Sequence, residues 1–165
     1  MKKVLVLGAM LFFSFNSAFA GEIPAEYSKD IKIQQSQTYN KNAVLSFVYS
    51  IYYMFDKHVP VEGFLKTMVN TGLNMQFPGA PLKSFEDFEK WYSDVGKNTK
   101  TQRHTVKSVD VSYGPANTFL VHVIVLWEAE DSKGGFVQFL ADQHWTLVEE
   151  DGRLKIRDYI VKAAK

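Results

Sequence analysis

The chain has no cysteine among its 165 residues. That absence excludes disulfide cross-links, thiolate metal sites, a cysteine nucleophile and lipid attachment at an N-terminal cysteine, so stability must come from packing. Charge of one sign is equally scarce, because 19 Lys and Arg face 18 Asp and Glu. Such a balance gives no reason to expect nucleic acid or an anionic membrane as a partner. The conspicuous apolar run, Val4 to Phe15, is too short for a good membrane-spanning helix. No internal repeat and no low-complexity segment appears.

What is present begins with that same run. Lys2 and Lys3 precede it and Ala18-Phe19-Ala20 follows it. A basic head, a short apolar core and a small-residue exit make a secretory signal peptide over residues 1–20. The mature chain is then expected to start at Gly21, to be periplasmic or secreted, and to have no stable membrane insertion after cleavage. The leader takes two lysines with it, leaving 17 basic residues against 18 acidic ones and a formal charge near −1. The remaining 145 residues suffice for one domain with a proper core. Thirteen Phe, eight Tyr and three Trp are many for this length, and they can either build a core or line a ligand cavity.

Residues 21–37 are polar and lack a clear period, which reads as an N-terminal arm before a domain over 38–165. Val44, Phe47, Val48, Ile51, Tyr52 and Phe55 then fall at helical steps, with Asn40 or Asn42 as N-cap, and predict a helix ending near Asp56. Pro60 can open a shorter helix carrying Phe64, Leu65, Met68 and Val69. Leu73 to Phe77 reads as a short strand and residues 78–81 as a turn. Ser84 with Asp87 makes a capping-box variant before Phe85, Phe88, Trp91, Tyr92 and Val95, and Gly96 is the expected stop. After Lys100 the period becomes extended: His104 to Tyr113, Phe119 to Ala129, Phe136 to Val148 and Leu154 to Val161 predict four strands. Turn signals separate them, the last being the Asp151-Gly152 hairpin pair. Helices first and an antiparallel meander second argue for an α+β fold with helices on one face of the sheet.

This order of elements resembles the nuclear transport factor 2-like superfamily, which includes SnoaL-like and ketosteroid isomerase-like domains. The resemblance runs from about Gln37 to Val161 and rests on His104 in "HTVKSVDV", Trp127 in "VIVLWEA" and Trp145 with the hairpin in "HWTLVEEDGRLKIRDYIV". It implies a cone-shaped, curved antiparallel sheet covered by three N-terminal helices, a cystatin-like α+β barrel. It further implies an apolar ligand at the mouth of the cone and a dimer through the outer sheet face. The enzymes of this superfamily do not map completely onto the chain. Ketosteroid isomerase-like members place an acidic base on the first short ribbon, and "LNMQFPGA" has no acid. Asn74 and Gln76 offer only amides, which have no useful basicity. Scytalone dehydratase-like members use two histidines and an acid inside the cone, and His104 matches one of those histidines. Limonene epoxide hydrolase-like members need an Asp-Arg-Asp relay, and no spacing here brings two carboxylates to Arg103 or Arg157.

If the turn at residues 131–135 sets Glu130 opposite Phe136, then Trp127 lies across from Phe139, Val125 from Ala141, Val123 from Gln143 and Val121 from Trp145. That face is the bulkier and is assigned to the concave side. Gln143 becomes the inward polar group, and Tyr53, Trp91, Tyr92, Trp127, Gln143 and Trp145 become the candidate ligand lining. His104 is the candidate catalytic residue, because a neutral imidazole suits a general base, although a structural histidine hydrogen-bonded to backbone at a strand start is the commoner use. The opposite face pairs His122 with His144, near Asp142. Two histidines on a flat sheet give too few metal ligands, so no metal is expected there. Leu120, His122, Ile124, Leu126, Leu140 and His144 are expected instead to form a dimer interface. Asp56 and His58 are read as capping the turn after the first helix.

No complete catalytic set is legible. The expected function is therefore binding of a small apolar or aromatic molecule in the cone, without cofactor. The alternative is an isomerase, dehydratase or cyclase using His104 as base with Tyr53 or Gln143 as donor. A ligand-free dimeric interaction module with a plugged cone is a third reading.

Overall fold

Apolar side chains at three- and four-residue steps wind the first described element, α1 (Lys41–Asp56), which buries Val44, Val48, Ile51, Tyr52 and Phe55. Asn40 rather than Asn42 caps it, its side-chain oxygen accepting from the Ala43 N–H at 2.9 Å. These features belong to a computed structural model that describes residues 38–164. The expected signal peptide and N-terminal arm lie outside the described residues.

Pro60 sits at the N-cap of α2 (Val61–Leu65), one position earlier than expected. In α3 (Phe85–Asn98) the Ser84 hydroxyl accepts from the Asp87 N–H, while the Asp87 carboxylate accepts from the Lys83 N–H. Gly96 does not end this helix, which continues to Asn98. Its missing side chain instead makes room for His58, whose Nε2 would lie 2.3 Å from a Cβ at this position.

The strands are β1 (Asn74–Phe77), β2 (Ala80–Leu82), β3 (Thr99–Tyr113), β4 (Phe119–Asp131), β5 (Phe136–Glu150) and β6 (Arg153–Ala163), ordered β2-β1-β6-β5-β4-β3. The four long strands form the expected antiparallel meander, each longer than its periodicity implied. His104 consequently lies inside β3, five residues from its start, rather than opening it. The sheet is not wholly antiparallel, because β1 pairs parallel with β6 and carries β2 as an edge hairpin. No hairpin joins β6 to β1, so nothing forces the two to run in opposite directions. Pro81 is tolerated in β2 because that strand is the edge. Register shifts near Val106 and Thr146 add bulges that bend the sheet, which remains open.

The β4–β5 register is the expected one, with Glu130 opposite Phe136, Val123 opposite Gln143 and Val121 opposite Trp145. Val121, Val123, Val125, Ala141 and Trp145 are buried in one cluster with the α1 stripe, Phe64 of α2, Met68 just beyond that helix, and Phe88 and Tyr92 of α3. The two-tryptophan face is thus the helix-covered one. Among the described residues no helix is long and apolar enough to cross a membrane.

Candidate active site

The C-terminal turn of α1 meets the first half of β3. Tyr52, Phe55 and Asp56 stand at i, i+3 and i+4, so one helix face carries two aromatic rings and a carboxylate toward the sheet. Asp56 accepts from the His104 backbone N–H, at 3.0 and 3.2 Å to its two oxygens, and its Oδ1 lies 2.6 Å from His104 Nδ1. A carboxylate only accepts, so Nδ1 carries a proton, and in the neutral form of the ring the lone pair lies on Nε2. Nε2 has no hydrogen-bond partner among the described residues. The ring is largely sheltered, its side chain 11 % exposed, and it packs parallel to Tyr52 with centroids 5.2 Å apart and beside Phe55 at 5.8 Å.

Asp56 therefore serves His104 and not the interhelical turn that its proximity to His58 implied. That turn is held by backbone, with the Val59 N–H donating to Met54. Arg103, next to His104, points outward and pairs with Glu128 at 2.6 Å. Gln102 on the other side of Arg103 donates to the Phe55 carbonyl at 2.6 Å and accepts from Trp127 Nε1 at 3.1 Å. It ties the helix end to the tryptophan directly across from His104.

A second polar group lies deeper. Gln143 is buried, and its Oε1 accepts from the Tyr52 hydroxyl at 2.7 Å and from Trp145 Nε1 at 3.2 Å. Trp145 packs on Tyr159 with centroids 4.3 Å apart. Burial pushes the phenols of Tyr52 and Tyr159 well above their ordinary range, so both stay protonated. Burial also pushes Tyr92 up to about 12, and its hydroxyl donates to the Val59 carbonyl at 2.8 Å. Tyr92 is thus a core strut joining α3 to the α1–α2 turn.

The sequence-derived lining needs one clear correction. Tyr53 is 61 % exposed on the outside of α1 and does not line the cone. One residue is 100° of helix, and the inward phenol is its neighbour Tyr52. Trp91 is half-buried and stacks on Phe77 at 4.2 Å, whereas Trp145 and Gln143 are buried against protein. Sequence reasoning missed Asp56 as the partner of His104, and it missed Gln102 and Tyr159.

Helices packed on a bent meander are an arrangement found in other solved structures. A candidate scytalone dehydratase from Novosphingobium aromaticivorans superimposes with a TM-score of 0.68 at 14 % identity, covering 75 % of this chain and 83 % of that one. A nuclear transport factor 2-like superfamily protein from Salmonella enterica does so with a TM-score of 0.68 at 10 % identity, covering 82 % and 94 %. This chain has the nuclear transport factor 2-like fold. The hexachlorocyclohexane dehydrochlorinase LinA-type3 from Novosphingobium barchaimii shares it, with a TM-score of 0.66 at 12 % identity and coverage of 76 % and 86 %. No protein-family model matches the sequence, and no curated protein matches it either. At such identities the likeness is one of fold, and the chemistry has to be argued from the side chains.

Proposed function

We propose that this nuclear transport factor 2-like domain, in an exported protein, takes a small, largely apolar molecule at the mouth of its cone and removes a proton from carbon with His104. The observation that carries the reading is the 2.6 Å contact between His104 Nδ1 and Asp56 Oδ1, with Nε2 free of any hydrogen-bond partner among the described residues and set in an aromatic surround. Asp56 fixes the tautomer and stabilises the imidazolium formed when Nε2 takes the proton. The surrounding aromatic rings exclude water and accept a hydrophobic substrate.

The reaction class that follows is base-promoted elimination or isomerisation. In an elimination Nε2 takes the C–H proton, the C–H electron pair becomes a C=C bond, and a hydroxide or halide leaves from the neighbouring carbon. Fold relatives named as a dehydratase and a dehydrochlorinase are in keeping with that class. A leaving hydroxide needs a proton in turn, which the imidazolium can return. No metal or organic cofactor is required for these steps.

Binding without turnover is the second reading, and one observation favours it. The deep polar groups Tyr52, Gln143, Trp145 and Tyr159 hydrogen-bond among themselves, which leaves none of them to polarise a substrate. The two readings separate on a panel of β-hydroxy ketones and chlorinated cyclic hydrocarbons incubated in D2O. Turnover predicts protein-dependent deuterium exchange or product formation that His104→Gln and Asp56→Asn abolish or sharply reduce, while ligand-detected NMR still reports binding. Binding by wild type with neither exchange nor product across the panel would favour the second reading.

A further inference from the structure

The outer face of the sheet holds a side-chain cluster unconnected with the His104 site. His122 and His144 are cross-strand partners on β4 and β5, and Asp142 lies two residues before His144, on the same face. Sequence alone places Asp142 near the two imidazoles. The structure brings its carboxylate into contact with both, because Asp142 Oδ1 lies 2.9 Å from His122 Nε2 and 3.1 Å from His144 Nε2. The two rings stand parallel, 11° apart with centroids 4.6 Å from each other, so both Nε2 atoms address the same carboxylate. All three ligand atoms lie within 4.8 Å of one another.

We propose that His122, Asp142 and His144 bind one divalent transition-metal ion of borderline softness, with zinc as the representative. Zinc sits about 2.0–2.2 Å from imidazole nitrogen and carboxylate oxygen. Two such ligands are therefore roughly 3 Å apart when they subtend a right angle at the metal and somewhat farther at the tetrahedral angle. The observed nitrogen-to-oxygen separations already fall at the lower end of that span, and a small outward rotation of the side chains opens room for the ion. Two imidazoles and one carboxylate suit zinc, cobalt, nickel or copper rather than calcium or magnesium, which prefer all-oxygen shells.

The surroundings supply what a three-residue set lacks. His122 and His144 line an open depression of about 470 Å3 with Asp110, Ser112, Thr146 and Asp158, so water can complete the coordination. Asp110 is the direct register partner of His122, and its charge offsets that of the ion. Asp158 is already engaged by Asn74 and Arg157. A metal bound at Nε2 takes that nitrogen's lone pair, so each ring would carry its proton on Nδ1, away from the ion.

The test uses tag-free protein stripped with chelator and titrated with Zn(II) by calorimetry and with Co(II) by visible absorption. The expected result is one equivalent bound per chain and a Co(II) ligand-field band that zinc displaces. Loss of a mere second-shell partner weakens metal sites by about 10–100-fold, so His122→Ala, His144→Ala and Asp142→Asn should each cost about tenfold or more. All three side chains are at least one-third exposed, so folding of the variants can be verified by circular dichroism while affinity is read separately. His104→Gln should bind zinc as the wild type does. Absence of stoichiometric binding, or equal affinity in the folded cluster variants, would overturn the proposal and leave the cluster as two stacked histidines beside a carboxylate.

Discussion

Replacing Gln143 by Met should destabilise the domain far more than a near-isosteric side chain suggests. Gln143, Tyr52 and Trp145 are 4 %, 3 % and 2 % exposed, so the change leaves the Tyr52 hydroxyl and the Trp145 N–H buried without their shared acceptor. Each stranded donor costs ~1–3 kcal/mol, and the Tyr159 hydroxyl, which also hydrogen-bonds Tyr52, together with the more apolar side chain offsets some of the total. A net loss of about 2–4 kcal/mol follows. For a domain of this size that corresponds to a fall in Tm of roughly 6–15 °C. Urea unfolding gives the free energy and calorimetry gives Tm. Tyr52→Phe removes one donor and leaves Gln143 bonded to Trp145, so it should cost about 1 kcal/mol. The double variant should then lose less than the sum of the two, because the Tyr52 hydroxyl can no longer be stranded. Tyr53→Phe, on the exposed side of the same helix, should stay within about 0.5 kcal/mol of wild type. A Gln143→Met protein as stable as wild type, or strict additivity in the double variant, would refute this account of the interior.

Two further outcomes concern β6 and the turn that precedes it. Burial raises the Asp158 carboxyl, but hydrogen bonds from Asn74, Arg157 and Thr146 outweigh it and hold the group below its ordinary value. A folded-state value below the unfolded one means that the stabilisation is fully present above about pH 4 and is lost as pH falls through the lowered value. The difference in urea midpoint between wild type and Asp158→Asn should therefore shrink between about pH 4 and pH 2, and a difference independent of pH would contradict it. Gly152 has φ +68° with nothing near a prospective Cβ, so Gly152→Ala should cost about 1 kcal/mol through backbone strain alone. An unchanged denaturation midpoint would show that the turn relaxes instead.

Most of the fold was legible because the signals that specify it are local. The α1 stripe, the Ser84 cap and the Asp151-Gly152 turn each act within a few residues, and a single loop length then set the whole β4–β5 register. The parallel pairing of β1 with β6 was not legible, since it joins residues more than eighty positions apart without a turn to announce it. Gly96 misled for a related reason. Glycine marks helix ends, but here it answers a neighbouring ring, and nothing in the local pattern distinguishes the two uses.

The same division explains the candidate active site. His104 was readable as a lone imidazole in an extended segment, whereas its carboxylate partner belongs to another element 48 residues earlier. A local signal for Asp56 did exist. The buried stripe runs through Val48, Ile51, Tyr52 and Phe55, and Asp56 is four residues beyond Tyr52, on that same face. A carboxylate on the apolar face of a helix is costly unless it meets a donor, so its presence there already demanded a partner across the core. The only histidine that the meander carries on its early inward side is His104, and the sheet delivers both its backbone N–H and its Nδ1 to that carboxylate. Placing each charged side chain on a helical face before assigning it to a turn would have joined the pair from sequence, and with it the base that the proposed chemistry requires.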